Sequence, residues 1–268
     1  VRVLREDSAN LFLGVAVSRG TNFASTSGRY DQGTYTVKVR REPGAVVPPA
    51  RQQLVYLDFE GGDHVQIALE PIEAMRAFSV ESISSRLSGQ TNYVVNLILE
   101  HLQSDYAPYN VVFRDSKHDS MPNGEFSALY FGNNHTAYLG LADNVDTGNA
   151  YLGQKAIIYA EDLANFESLQ PSVEEVAQAL ANVAGHELGH LLGLEHTADA
   201  QDLMSTAASA RQILEMDATF MRAPLQTAVF PQGWQNNPHL LLLNLGSNPV
   251  ADVSARLRLT ELLPQPST

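Results

Sequence analysis

Three histidines, one glutamate and one glycine in the run His186-Glu187-Leu188-Gly189-His190-Leu191-Leu192-Gly193-Leu194-Glu195-His196 have the types and spacing that metal-assisted hydrolysis requires. Side chains four apart stack on one helix face, so His186 and His190 can hold one ion from the same side. Gly193 reaches backbone angles that other residues resist, and the turn it allows brings His196 back as a third ligand. Three neutral imidazoles favour zinc and leave a fourth position for water, the mark of a catalytic rather than a structural site. Glu187 follows the first ligand and projects beside the metal, where it suits a general base. Zinc lowers the pKa of its bound water to about 7 and polarises a carbonyl. Glu187 would take the water proton and pass it to a leaving amine. The implied reaction is peptide-bond hydrolysis without a covalent intermediate.

The helix that must carry these ligands is predicted from Ser172 to Leu192. Pro171-Ser172 is a start signal, with Ser172 as N-cap and Glu174-Glu175 in the first turn. Val173, Val176, Ala177, Leu180, Val183, Ala184 and Leu188 recur at three- and four-residue spacing and form one apolar stripe. Upstream, Leu54–Phe59, Asn110–Asp115, Ser127–Phe131, Ala137–Leu141 and Lys155–Ala160 read as strands. A helical pattern runs through residues 79–105, clearest from Thr91 to Ser104. A final helix is predicted near Ala208–Met221.

The full pattern fixes five positions, and all five are met here. Asp202-Leu203-Met204-Ser205 follows His196 closely, and Thr197, a small hydroxylated residue, stands directly after it. In these features the chain resembles the metzincin zinc metallopeptidases, and most closely their matrixin-like bacterial branch. The resemblance covers roughly residues 51–224. It implies an α+β, zincin-like catalytic domain: a twisted five-stranded sheet, a long helix, the zinc helix, a Met-turn and a C-terminal helix. It also implies that Met204 lies under the three imidazoles as a hydrophobic base and is not a ligand. Some branches place a tyrosine after the methionine as a fifth ligand; here Thr206 holds that position. A substrate peptide would lie extended in a cleft over the metal. The strand containing Tyr138, Leu139, Gly140 and Leu141 is the expected edge that pairs with its backbone.

Outside that region, residues 1–44 read as a β-rich segment of the kind found in small sandwiches, and 45–50 as a linker marked by Pro48-Pro49. Residues 225–268 read as a second β-rich segment, with strands at His239–Leu245 and Val253–Leu259, that would pack with residues 1–44. Each piece alone is too short to bury a core. Asp143-Asn144-Val145-Asp146-Thr147-Gly148-Asn149 sets oxygen ligands at alternate positions of a glycine-bearing loop. Asp143, Asp146 and Asn149 are therefore candidate Ca2+ ligands, although such clusters are also ordinary turn chemistry. His64, His101, His118, His135 and His239 have no partner at metal spacing and read as surface or hydrogen-bonded residues.

Composition narrows the class. A net charge of −13 disfavours nucleic acid and anionic membranes as partners. The absence of cysteine excludes disulfides, thiolate nucleophiles and thiolate metal ligands. No run of eighteen apolar residues is present to span a membrane. The N-terminus, Val1–Asp7, is not a signal peptide and reads as a cut into a longer chain. The expectation is a secreted, periplasmic or cell-surface bacterial enzyme acting on protein or peptide substrates. The rival is a zinc-binding adhesion or scaffold module that has lost catalysis; it has no need of Glu187.

Overall fold

The chain pattern resolves into a mixed sheet with helices against it. In this computed structural model, residue 36 and residues 49–135, 137–229 and 233–250 are described. The expectations for residues 1–35, 37–48 and 251–268, including the pairing of the two terminal segments, lie outside them. β1 (Gln53–Asp58) is buried at five of its six positions. It is followed by β2 (Gly62–Ile67), β3 (Glu70–Met75), α1 (Thr91–Asp105), β4 (Val111–Asp115), β5 (Ser127–Phe131), β6 (Gly140–Ala142), β7 (Lys155–Ile158) and α2 (Val173–Leu191). The chain then passes through α3 (Ala210–Glu215), β8 (Arg222–Pro224), β9 (Trp234–Asn236) and α4 (Asn237–Leu245).

The main sheet has five strands in the order β4-β1-β5-β7-β6. The first four are parallel, with Val55 opposite Phe113 and Ser127, and Leu129 opposite Ala156. Strands buried on both faces read as apolar runs rather than alternations, as Leu54-Val55-Tyr56-Leu57 and Ala156-Ile157-Ile158 do. β6 is antiparallel to β7 and forms one edge, with Gly140 opposite Ile158 and Ala142 opposite Ala156. α1 buries Val94, Val95, Ile98 and Leu102, and α2 buries Val176, Ala177, Leu180, Ala184 and Leu188, all in one core with β1, β5 and β7. Each such aliphatic side chain contributes roughly 1.5–3 kcal/mol on burial. The Tyr106 hydroxyl donates to the Gly185 carbonyl at 2.8 Å and fixes the level of α1 against α2.

Four expectations change. β2 and β3 form a hairpin that the sequence reading passed over; Val65 and Ile67 alternate inward onto Met75, Ile157 and Tyr159. The edge strand is shorter and later than 137–141, spanning Gly140–Ala142. The last helix of the catalytic region spans only Ala210–Glu215. It begins at a Ser209/Gln212 capping box and ends where Asn182 Nδ2 donates to the Ile213 and Met216 carbonyls, at 3.3 and 2.8 Å. Finally, His239–Leu245 is helical, within α4. Asn236 caps it, Pro238 suits its first turn and Gly246 ends it at φ 78. A short apolar run such as Leu240–Leu243 does not distinguish strand from helix by periodicity; the caps decide.

Candidate metal centre

The site begins with the start of α2. Ser172 Oγ accepts from Glu175 N at 3.1 Å and Glu175 Oε2 accepts from Ser172 N at 2.6 Å, a reciprocal cap that sets the helix phase. That phase places His186 and His190 one turn apart, with ring centroids 4.8 Å apart. Gly193, at φ 92, then turns the chain. A Cβ there would lie 2.7 Å from the Asp146 carbonyl, so the turn needs glycine for space as well as for backbone angle. His196 returns with its ring 5.1 Å from His186 and 4.6 Å from His190. One ligand nitrogen from each of the three lies within 4.8 Å of the others.

The donor set fits zinc. The outer nitrogens of two rings are occupied: His186 Nδ1 lies 2.9 Å from the Leu203 carbonyl and His190 Nδ1 lies 2.7 Å from the Leu194 carbonyl. A carbonyl can only accept, so each Nδ1 carries the proton and each Nε2 keeps its lone pair for a metal. Burial, followed by the neighbouring imidazoles, pushes His186 down to about 3; burial and His196 push His190 down to about 4. Burial lowers His196 as well. All three rings are therefore held in the neutral form that ligation requires.

Glu187 is 6% exposed, and burial pushes its carboxyl up to about 8. It lies against the edge strand: a Cβ on Gly140 would lie 2.5 Å from Glu187 Oε1. Met204 is fully buried beneath the helix, where a Cβ on Gly189 would lie 2.4 Å from its sulfur. A Cβ on Gly185 would similarly approach Leu203 to 2.9 Å. Asp202, 1% exposed, ties this turn together. It accepts from Thr197 Oγ1 at 2.7 Å, from Met204 N at 3.4 Å and from Asn237 Nδ2 at 2.8 Å.

A cleft of about 640 Å³ opens over the three histidines and Glu187. Residues 137–142 form one wall, which includes Tyr138, Leu139, Gly140 and Leu141; Leu203, Ile213, Met216 and Ala218 form an apolar wall opposite. Thr206 also lines it, and its hydroxyl accepts from the Gln226 side chain. In the loop read as a calcium candidate, Asp143 and Asp146 accept backbone bonds, whereas the buried Asn149 side chain has no hydrogen-bond partner. Asp143 accepts from Ala68 N and Lys155 N, at 2.7 and 2.8 Å, and Asp146 accepts from Tyr151 N at 2.8 Å. Asp146 N in turn donates to the His190 carbonyl at 3.0 Å, so the loop braces the end of the ligand helix. His118 pairs with Asp115 at 2.9 Å and His135 stacks on Tyr138 at 4.0 Å; neither joins the centre.

The structure brings His186, His190 and His196 together with Glu187, Gly193 and Met204, and it sets Gly140 of the expected edge strand against Glu187. The contacts of Gly185, Gly189, Asp202, Gln235 and Asn237 are not read from spacing. The signal at Gly185 and Gly189 was available: glycine in a helix interior costs about 1 kcal/mol relative to alanine, which points to a close approach.

The sequence matches the matrixin family over residues 74–219, more than half of the chain. No curated protein matches it. Among solved structures, it is similar to the archaemetzincin of Methanopyrus kandleri: 14% identity, 63% of this chain and 89% of that chain covered, TM-score 0.36. It is likewise similar to the archaemetzincin of Archaeoglobus fulgidus complexed with malonate: 14% identity, 63% and 95% covered, TM-score 0.33.

Proposed function

The chain belongs to the matrixin family of zinc metallopeptidases, and from that premise we propose that it is an endopeptidase that cleaves extended peptides in the cleft above His186, His190 and His196. These three would hold the ion through Nε2. When bound, zinc supplies Lewis acidity, which brings the pKa of a ligated water to about 7 and polarises a carbonyl. Glu187 accepts the proton of the attacking water and returns it to the departing amine nitrogen. Backbone N–H and C=O groups along the edge strand, from Tyr138 through Leu141, pair with the substrate backbone. The opposing apolar wall keeps water from the reacting bond. Among the described residues no helix is long and apolar enough to cross a membrane. A secreted or periplasmic location is part of this proposal, to be tested by fractionation.

One observation carries the reading: three imidazoles with two outer nitrogens locked by carbonyls converge beside a buried carboxylate that is not among the ligands. The test is cleavage of an unfolded protein by the zinc-loaded chain, with metal content measured. Glu187→Gln should keep its zinc and lose 10²–10⁴-fold in kcat, roughly the share of general acid–base catalysis. His190→Ala should lose both zinc and turnover. Equal zinc loss in the two variants would overturn this division of roles. A wild-type chain that holds zinc and cleaves nothing would restore the scaffold reading, which the retained Glu187 disfavours.

A further inference from the structure

The three candidate ligands lie within the family match, but the segment that carries the third is held by residues beyond it. Residues 222–246 follow the matched region, 74–219. Gln235, 7% exposed, spans Glu195 with both ends of its amide: its Oε1 accepts from Glu195 N at 3.0 Å and its Nε2 donates to Glu195 O at 2.8 Å. Glu195 is the residue directly before His196. On the other side of the ligand, Gln226 N donates to the His196 carbonyl at 3.0 Å, and Ala198 N donates to Pro224 O at 2.8 Å. The segment that carries His196 is thus tied on both sides, with Thr197 bridged to Leu225 next to β8.

The same segment reaches the methionine turn. Asn237 is fully buried, and its Nδ2 lies 2.8 Å from each Asp202 oxygen. Asp202 in turn holds Thr197, next to His196, and the backbone N–H of Met204. Further along α4, Asn244 donates to the Leu192 carbonyl at 2.8 Å, just before the Gly193 turn. Buried side-chain amides, whether aimed at backbone as in Gln235 or at a carboxylate as in Asn237, are costly unless their partners stay in place, so these bonds fix geometry as well as adding stability.

We infer that Gln235 and Asn237 are positioning residues of the metal centre, acting on His196 through Glu195 and on Met204 through Asp202. This inference rests on the zinc reading above. Neither side chain touches the ion or the substrate. Their effect is to hold the third imidazole where the two helix-borne imidazoles need it.

The test uses the full chain, with Zn2+ and Co2+ as probes. Zinc affinity is measured by chelator competition, the cobalt visible spectrum reports coordination geometry, and Tm is measured with and without zinc. Gln235→Ala and Asn237→Ala should each bind zinc at least 10-fold more weakly, the range seen for groups that orient ligands. Both should shift the cobalt spectrum and shrink the rise in Tm that zinc produces. Gln235→Glu keeps an acceptor for Glu195 N and should fall between wild type and Gln235→Ala. Leu243→Ala, on the exposed face of α4, should match wild type. Wild-type affinity and spectrum in both alanine variants, whatever their Tm, would overturn the inference. So would an equal loss in Leu243→Ala, since it would assign the effect to the segment's stability. If an alanine variant does not fold, Gln235→Glu decides: weaker zinc supports the inference and wild-type affinity overturns it. Full zinc retention by His190→Ala would break the zinc reading itself, independently of these outcomes.

Discussion

Gly140 is the residue at which the proposed substrate wall and the proposed general base, Glu187, meet. Its backbone is not left-handed, so alanine suits the strand; what alanine lacks is room, because its Cβ would sit 2.5 Å from Glu187 Oε1. Glu187 Cγ and Cδ would lie at 2.7 and 2.9 Å as well, so the whole side chain must turn away and the carboxylate moves with it. Gly140→Ala should therefore lower kcat by about 10²-fold, the cost of misplacing a reacting group by about 1 Å. Zinc content should be unchanged, and Tm should fall because the displaced side chain is buried. Activity at the wild-type level would show that Glu187 does not need its present rotamer. Nothing in the sequence near Gly140 announces this role, since the group it must avoid lies far along the chain. His186, His190, His196 and Glu187 were legible for the opposite reason: their mutual geometry is set by a single helix and a single turn.

α1 ends on a residue of the wrong charge. Asp105 lies at the negative end of the helix dipole, one carboxylate oxygen is buried without a hydrogen-bond partner, and Asp217 lies nearby. Burial first, then Asp217, pushes its pKa up to about 7, from an ordinary 3.8. A raised carboxylate binds its proton more tightly in the folded chain than in the unfolded one. Stability therefore falls as pH rises from about 4 to about 7. Asp105→Asn should leave stability unchanged near pH 4 and raise it above pH 7, on the order of 2 kcal/mol after allowing for the solvent that still reaches the group. Metal-free Tm of the two proteins across this range checks it; a gap that does not widen with pH would refute it. At this scale the sequence was read well where elements are long or their period is clear. α2, β1, β4 and β5 fall within one residue of expectation, and α1 takes the clearest part of the pattern read over residues 79–105, the part before it being the short 3-10 turns Val80–Ser82 and Ser85–Leu87. The reading failed where tertiary contacts decide: α3 is cut short by donors from Asn182, and α4 is set by caps around an ambiguous leucine run.

Across the molecule, charge is the dominant long-range property. The chain carries a net −13, and among the described residues no lysine or arginine lines the cleft, whereas Glu195 and Asp202 do. Such a field attracts cations to the cleft mouth and is screened beyond about 8 Å at physiological salt. Peptides flanked by lysine should show a higher kcat/KM than the same peptides flanked by glutamate. The ratio should shrink toward one as NaCl is raised to 1 M, and a ratio indifferent to salt would refute the steering argument. The order of parts along the chain has another consequence, one of time. Gln235 leaves the ribosome about 40 residues after His196, which at roughly 5–20 residues per second is a delay of about 2–8 s. Until then Glu195 lacks the amide that spans it, so on the inference above the newborn chain would carry every proposed catalytic group while its third imidazole is held less firmly.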